Sequence, residues 1–233
     1  IDGVEMTDPP IVLVHGLGTS AEATWYNNGW IDLIQDAGRE VHALDLLGHG
    51  SAPKPTDPEE YREVTQHLLD RFPEAPVDIV AFSHGARLVL EIAMKTPERF
   101  NRIVLAGIGE NLFREEPERR DAIFQAIESG QSDDPELRYF ADLPNLPGGN
   151  RSALTAFMQR PDTPKITEEL LVNVTCPVLI VLGDNDFAGP ADRLISAFPD
   201  SSFVGLKGVD HFATPKDFGF IEAALNFLDA QPF

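Results

Sequence analysis

Three features of this chain predict an α/β fold, a mostly parallel twisted sheet with helices on both faces. Six short apolar runs recur along it, helical patterns fall between them, and one long interval carries helical patterns with no strand. Continuous apolar runs mark strands covered on both sides, whereas a half-exposed strand would alternate. Strand–helix alternation in turn requires crossover connections, which set neighbouring strands parallel.

The elements follow in order. Ile11–Val14 ends in His15-Gly16-Leu17-Gly18, and Val41–Leu46 leads into Gly48-His49-Gly50. Val77–Phe82, Ile103–Ala106, Val178–Leu182 and Ser202–Leu206 complete the set of strands. A helix is predicted from about Pro58 to Phe72, with Asp57 as N-cap, Pro58 at the first helical position and Glu60 where a capping box needs it. The next, Ser83 to Lys95, turns Leu88, Val89 and Ile92 towards a core and stops at Pro97. Two more fit Pro190–Phe198 and Lys216–Asp229. From Glu110 to about Thr175 the pattern is helical throughout: Pro117–Ser129, Pro135–Leu143 and Arg151–Arg160, separated by Pro and Gly. A structureless loop of that length is rare in a compact domain. Residues 110–175 therefore read as a small helical cap inserted into a core made of residues 1–109 and 176–233.

Composition narrows the partners. The 233 residues include 18 Lys and Arg against 38 Asp and Glu, a formal net charge of −20. Nucleic acids and anionic membranes are bound through Lys and Arg, so that balance argues against both. Only 5 of the 18 basic residues are Lys, which suits a salt-tolerant source. The single cysteine, Cys176, excludes an internal disulfide or a multi-cysteine metal site and reads as a buried, inert thiol. No apolar run is long enough to span a membrane, and Ile1–Pro10 has no signal-peptide core, so the expectation is a cytoplasmic protein, monomeric or a small homo-oligomer.

The sharpest chemical signal is Ala81-Phe82-Ser83-His84-Gly85, set between a predicted strand and a predicted helix. A serine at that junction sits on a tight turn that needs small residues two positions away on either side. The turn places the hydroxyl at the strand's C-terminal edge, where open α/β sheets bind ligands, and the helix N-terminus favours negative charge there. A serine needs a base, and the base an orienting acid. Asp186, in Gly183-Asp184-Asn185-Asp186, and His211, in Val209-Asp210-His211-Phe212, both follow predicted strands and so reach the same edge. Asp184 is the rival acid and Glu110 a further stand-in. The glycine-rich turn after the first strand exposes backbone N–H groups; that of Leu17, with that of His84, suits an oxyanion hole.

With these stations in place, the chain resembles the α/β-hydrolase fold superfamily, in its small-cap, esterase-like branch. The matching stretches are His15–Gly18, Asp45–Ser51, Ala81–Gly85, Gly183–Asp186 and Val209–Phe212. They run in the family's order, with the nucleophile first, the acid second and the histidine last. The resemblance implies Ser83 as nucleophile, His211 as general base and Asp186, three residues after the glycine, as its partner. A serine there sets the chain apart from relatives that use a carboxylate nucleophile, the haloalkane dehalogenases and epoxide hydrolases. Two departures stand out: Ala81 replaces the usual glycine, and Ile1–Pro10 leaves little room for an extra N-terminal strand pair.

The expectation is thus a serine hydrolase that cleaves small or medium-chain carboxylic esters through an acyl-enzyme, with no metal or organic cofactor. The same residues serve C–C bond hydrolysis, lactone opening, acyl transfer or peracid formation, and a hydrolase scaffold also serves ligand-binding receptors. For C–C hydrolysis a pocket arginine should hold the substrate carboxylate; Arg87, Arg114, Arg151 and Arg160 are the candidates. His15 and His49 are expected to hold their loops and His42 and His67 to be incidental, while the His84 ring is a candidate to line the pocket. Trp25 and Trp30 suit either a pocket wall or the core. Phe82, Phe187 and Phe212 are expected beside the reacting groups, with Phe140, Leu154, Phe157 and Met158 above them. The −20 charge also predicts that salt, by screening self-repulsion, raises the melting temperature. A melting temperature that stays flat or falls with added NaCl would refute this.

Overall fold

A computed structural model describes residues 8–232. Among them are six strands: β1 (Ile11–Val14), β2 (Val41–Leu44), β3 (Val77–Phe82), β4 (Phe100–Ala106), β5 (Val178–Gly183) and β6 (Ser201–Leu206). They form one sheet in the order β2-β1-β3-β4-β5-β6, and every pairing is parallel. The nine α-helices are α1 (Trp30–Asp36), α2 (Val64–Leu69), α3 (His84–Ala93), α4 (Pro117–Ser129), α5 (Pro135–Asp142), α6 (Arg151–Met158), α7 (Glu168–Leu171), α8 (Asp192–Ala197) and α9 (Phe218–Phe227). The stretch Ile1–Pro10, read as leaving little room for an extra N-terminal strand pair, falls largely outside the described residues.

Period-2 geometry divides the sheet's side chains between two cores. Val12, Val14, Ile79, Ala81, Ile103 and Leu105 face α2 and α3, whereas Ile11, Leu13, Val80, Phe82, Val104 and Ala106 face Trp30 of α1 and Phe220 of α9. All of β1, β3 and β5 is buried, as continuous apolar runs require. The edge strands differ: β2 is half-buried, and β6 leaves Ser202, Phe203 and Gly205 exposed, because only one side of an edge strand has a neighbour.

Where the chain departs from expectation, packing explains it. The helix expected over Pro58–Phe72 breaks at Glu63 (φ −101°, ψ 32°) into a 3₁₀ turn, Pro58–Tyr61, and α2. Tyr61 is fully buried, and its hydroxyl donates to the Pro55 carbonyl at 2.7 Å, a position that a continuous helix would not give it. Asp57 does cap, accepting from the Glu59 N–H at 3.0 Å. Likewise α8 and α9 are shorter than their patterns, and Asp217 caps α9 after a separate turn over Thr214–Lys216. Cys176 is half-buried rather than buried; desolvation pushes its thiol up to about 11, in keeping with an inert group.

A buried ionic cluster ties the end of the sheet remote from the site. Asp78, fully buried in β3, accepts from Arg39 at 2.8 Å and Arg102 at 2.9 Å, and both arginines also donate to the Leu228 carbonyl beyond α9. Each charge there is paired and hydrogen-bonded, the condition under which burial is tolerated.

Between β4 and β5 the chain forms α4 to α7, with no strand among them. Ile127, Phe140, Leu143 and Leu154 make a small core of their own, which reaches Leu17, Phe187 and Phe212. Phe157 of α6 docks this segment on the sheet domain: its ring meets those of His49, Tyr61 and His84 edge-on, with centroids 5.0, 5.6 and 5.1 Å away. Phe157→Ala should therefore cost about 3–5 kcal/mol, read from urea unfolding. A loss below about 1 kcal/mol would mean that this docking does not hold the segment in place.

Candidate active site

The strand order reverses at β1, which lies between β2 and β3. A crevice outside the C-terminal ends of the strands is expected at such a switch point. Into it lead the turn after β1, carrying His15-Gly16-Leu17-Gly18, and the turn after β3, carrying Ser83.

Ser83 adopts φ 54°, ψ −120°, a conformation that L-residues rarely occupy and that here bends the strand directly into α3. Its N–H continues the sheet, donating to the Ala106 carbonyl at 2.8 Å. The bend presses α3 against β1 so tightly that a Cβ on residue 85 would lie 2.2 Å from the His15 carbonyl oxygen, so only glycine fits. Ala81, the departure noted in the sequence, is fully buried in β3 opposite Val14 and Leu105, where the core takes its methyl group.

The structure brings Ser83, His211 and Asp186 together from three loops. Ser83 Oγ lies 2.8 Å from His211 Nε2, and His211 Nδ1 lies 3.0 Å from each Asp186 oxygen. A carboxylate only accepts, so the proton sits on Nδ1 and leaves Nε2 free to accept from the serine hydroxyl. Asp186 is buried and also accepts the Ala188 N–H at 2.9 Å, which fixes its orientation. The imidazole lies between Phe82 and Phe187, with centroids 5.0 and 4.3 Å away. Gly107, at φ 68°, lets the backbone pass: a Cβ there would meet Phe82 at 2.6 Å and His211 at 3.1 Å.

The rival acids are engaged elsewhere. Asp184 accepts the Gly208 N–H at 2.7 Å, Glu110 pairs with Arg193, and Asp210 accepts the Ala213 N–H at 2.8 Å. The N–H groups of Leu17 and His84 find no protein acceptor among the described residues, and both residues line the cavity beside Ser83. That of His84 is also a free donor of the first turn of α3. No group of three or more side chains suited to a metal occurs among the described residues.

The other histidines hold loops. His15 donates from Nδ1 to the Gly16 carbonyl at 2.7 Å and accepts the Leu46 N–H on Nε2 at 3.1 Å, joining the turns after β1 and β2. His49 donates to the Leu47 carbonyl at 3.1 Å. Trp25 and Trp30 are fully buried against each other and belong to the core, Trp30 donating to the Pro215 carbonyl. The cavity, about 750 Å³, is lined by Phe140, Phe157, Met158 and Phe187 as expected, but not by Leu154, Phe82 or Phe212. Arg87, Arg114 and Arg160 face it; Arg151 instead donates to the Ile127 carbonyl. Arg119, Arg120, Lys165 and Arg193 also line it, and nothing in their local sequence signals this.

The model of the alpha/beta hydrolase family matches residues 11–220, so the chain belongs to that family. It is 33% identical over 102 residues to 2-hydroxymuconate semialdehyde hydrolase of Pseudomonas sp. strain CF600, covering 42% of this chain and 36% of that one. Over 97% of this chain and 88% of the relative, it is 27% identical to the 2-hydroxy-6-oxononadienedioate/2-hydroxy-6-oxononatrienedioate hydrolase of Escherichia coli K12. Several of the curated relatives are thus matched over only about a third of their length. Among solved structures, the CarC serine hydrolase of carbazole degradation superposes with a TM-score of 0.70 at 25% identity, over 97% of this chain and 92% of that one. No helix among the described residues is long and apolar enough to cross a membrane.

Burial pushes His15 down to about 4 and His49 down to about 3, the neighbouring His15 adding to the shift at His49. Both stay neutral in the folded protein over a range where the unfolded chain, with ordinary values near 6.5, takes up protons. Unfolding then consumes protons, so stability is full above about pH 6.5 and declines as pH falls towards 4, on the order of 1 kcal/mol per pH unit for each histidine. Melting temperature against pH should slope accordingly, and His49→Asn, which keeps a donor for Leu47, should flatten it. An unchanged slope in that variant would refute the assignment.

Proposed function

We propose that this protein is a serine hydrolase of carboxylic esters, with Ser83 as nucleophile, His211 as general base and Asp186 as its orienting partner. The continuous Ser83–His211–Asp186 hydrogen-bond chain, which meets the cavity at Ser83 and His211, carries this reading. Ser83 Oγ bonds to the acyl carbon as its proton passes to His211 Nε2. The resulting imidazolium is stabilised by Asp186. Negative charge on the carbonyl oxygen falls to the Leu17 and His84 N–H groups, aided by the N-terminus of α3. Collapse breaks the bond to the alkoxy group, which leaves with the proton from His211. A water molecule deprotonated by His211 then attacks the acyl-enzyme, and the acid departs as the proton returns to Ser83.

Residues 110–175 act as a cap in this reading. They lay Phe140, Phe157 and Met158 over the nucleophile and leave space for a small or medium acyl chain. A second reading, hydrolysis of a C–C bond in a diketone acid, draws on the names of the Pseudomonas and Escherichia coli relatives and on the arginines in the cavity.

Hydrolysis of p-nitrophenyl esters from acetate to decanoate tests the proposal. Activity should peak at one chain length, and Ser83→Ala should reduce turnover by about 10⁶. Asp186→Asn should lose about 10⁴, as the histidine is left in the wrong tautomer, whereas Asp184→Asn should stay close to wild type. A folded protein inactive on every ester but active on a diketone-acid panel would transfer the assignment to C–C hydrolysis.

A further inference from the structure

The cavity inverts the charge of the chain. Seven of the 18 basic residues line it, against three of the 38 acidic ones. Four of these cations have carboxylate partners of their own: Arg114 with Glu116, Arg119 with Glu136, Lys165 with Glu115, and Arg193 with Glu168 and Glu110. Three do not balance. Arg87 Nε and Arg160 Nη2 both donate at 3.0 Å to one oxygen of Glu91, which is 1% exposed. Arg120 donates to the Met158 carbonyl at 3.2 Å and has no carboxylate in ion-pair range among the described residues. Two guanidinium groups therefore share a single carboxylate, and the third has none.

This surplus stands beside the nucleophile. Arg87 lies one helical turn beyond Ser83 on α3, a rise of about 6 Å. Arg160 is 7% exposed, yet its Nε and Nη1 find no protein acceptor among the described residues while the side chain lines the cavity. A guanidinium is always charged, and donors of Arg160 left free on the cavity wall are placed to meet an anion that enters. The surroundings register the excess. Burial, reinforced by Arg160 and Arg87, holds the His84 imidazole well below its ordinary range, so it adds no charge and takes none away. Arg160 itself is lowered by burial and further by Arg87.

We propose that Arg87, Arg120 and Arg160 form a subsite for a carboxylate on the substrate, so that the ester cleaved at Ser83 carries a negative charge a few carbons away. This inference rests on the ester-hydrolase reading for its choice of substrate, but not for the anion site itself. Arginine's planar fork suits a carboxylate. The −20 net charge repels anions at long range, so the subsite acts only on a ligand already inside the cavity, where screening by water is weakest.

Mono-p-nitrophenyl adipate and p-nitrophenyl hexanoate make a pair with equal acyl length, differing only in the terminal carboxylate. Wild-type kcat/KM should favour the hemi-ester by about tenfold, the size of a charge-assisted hydrogen bond, and the preference should shrink with added NaCl. Arg120→Gln should remove most of it, and Arg120→Lys should keep part. Arg120 is exposed and bonded only to a backbone carbonyl, so its variants should fold even where Arg160→Gln, which strips a partner from buried Glu91, does not. Calorimetric titration of adipate into Ser83→Ala provides a readout independent of turnover; binding should weaken about tenfold on adding Arg120→Gln. Adipate binding without hydrolysis of either ester would refute the reaction and uphold the subsite. Hydrolysis of hexanoate with no preference for the hemi-ester and no adipate binding would overturn the subsite and leave the reaction standing. A preference for the hemi-ester that Arg120→Gln leaves intact also overturns it.

Discussion

The close approach of α3 to the end of β1 governs the rest of this structure. With Ser83 at positive φ and no side chain on residue 85, the helix begins at once where β3 stops, against the His15 carbonyl. That contact sets the first turn of α3 against the glycine-rich turn after β1, and Leu17 and His84 line the same cavity as Ser83. It also fixes the register in which His211, carried in from beyond β6, meets that hydroxyl at 2.8 Å. Strain at Ser83 is tolerated because sheet bonds on one side and helix packing on the other determine its conformation.

Around this turn the molecule separates rigidity from chemistry. The far end of β3 is held by Asp78 and its two arginines, which also bind the chain after α9. The near end is held by neutral histidines: buried His15 links the turns after β1 and β2, while buried His49 and half-buried His84 support Phe157. These imidazoles contribute shape and donors at no cost in charge while they stay neutral. Positive charge is supplied by arginine instead, concentrated in the cavity of an otherwise acidic protein. An acidic exterior and a basic interior favour different things, solubility on one side and anion recognition on the other.

Much of this was legible in the residues, and the reasons are local. The apolar runs of β1, β3 and β5 are buried on both faces, so their composition alone marks them as central strands. The segment Ala81–Gly85 could be read because a strand-to-helix turn around serine imposes strict size limits on its neighbours. Asp186 is preferred to Asp184 by resemblance to the family, whose acid stands three residues after the glycine, and Asp184 holds the turn at Gly208 instead. Legibility ended where distant segments choose each other. The break between Tyr61 and Val64 accompanies burial of Tyr61 against Phe157, nearly a hundred residues later, and the helical pattern carries no trace of it.

The sequence by itself determined the fold class, the parallel order implied by its crossovers and the identity of the three residues now found in one hydrogen-bonded chain, because each depends on short-range pattern and backbone sterics. Tertiary structure alone decided which charges face the cavity. Arg119, Arg120, Lys165 and Arg193 look like ordinary surface cations along the chain, and Arg151 looks as good a pocket candidate as Arg160. Pairing with a carboxylate, a carbonyl or nothing depends on how α4, α6 and α7 pack over the sheet. That outcome is a property of long-range contacts, and no window of sequence contains it.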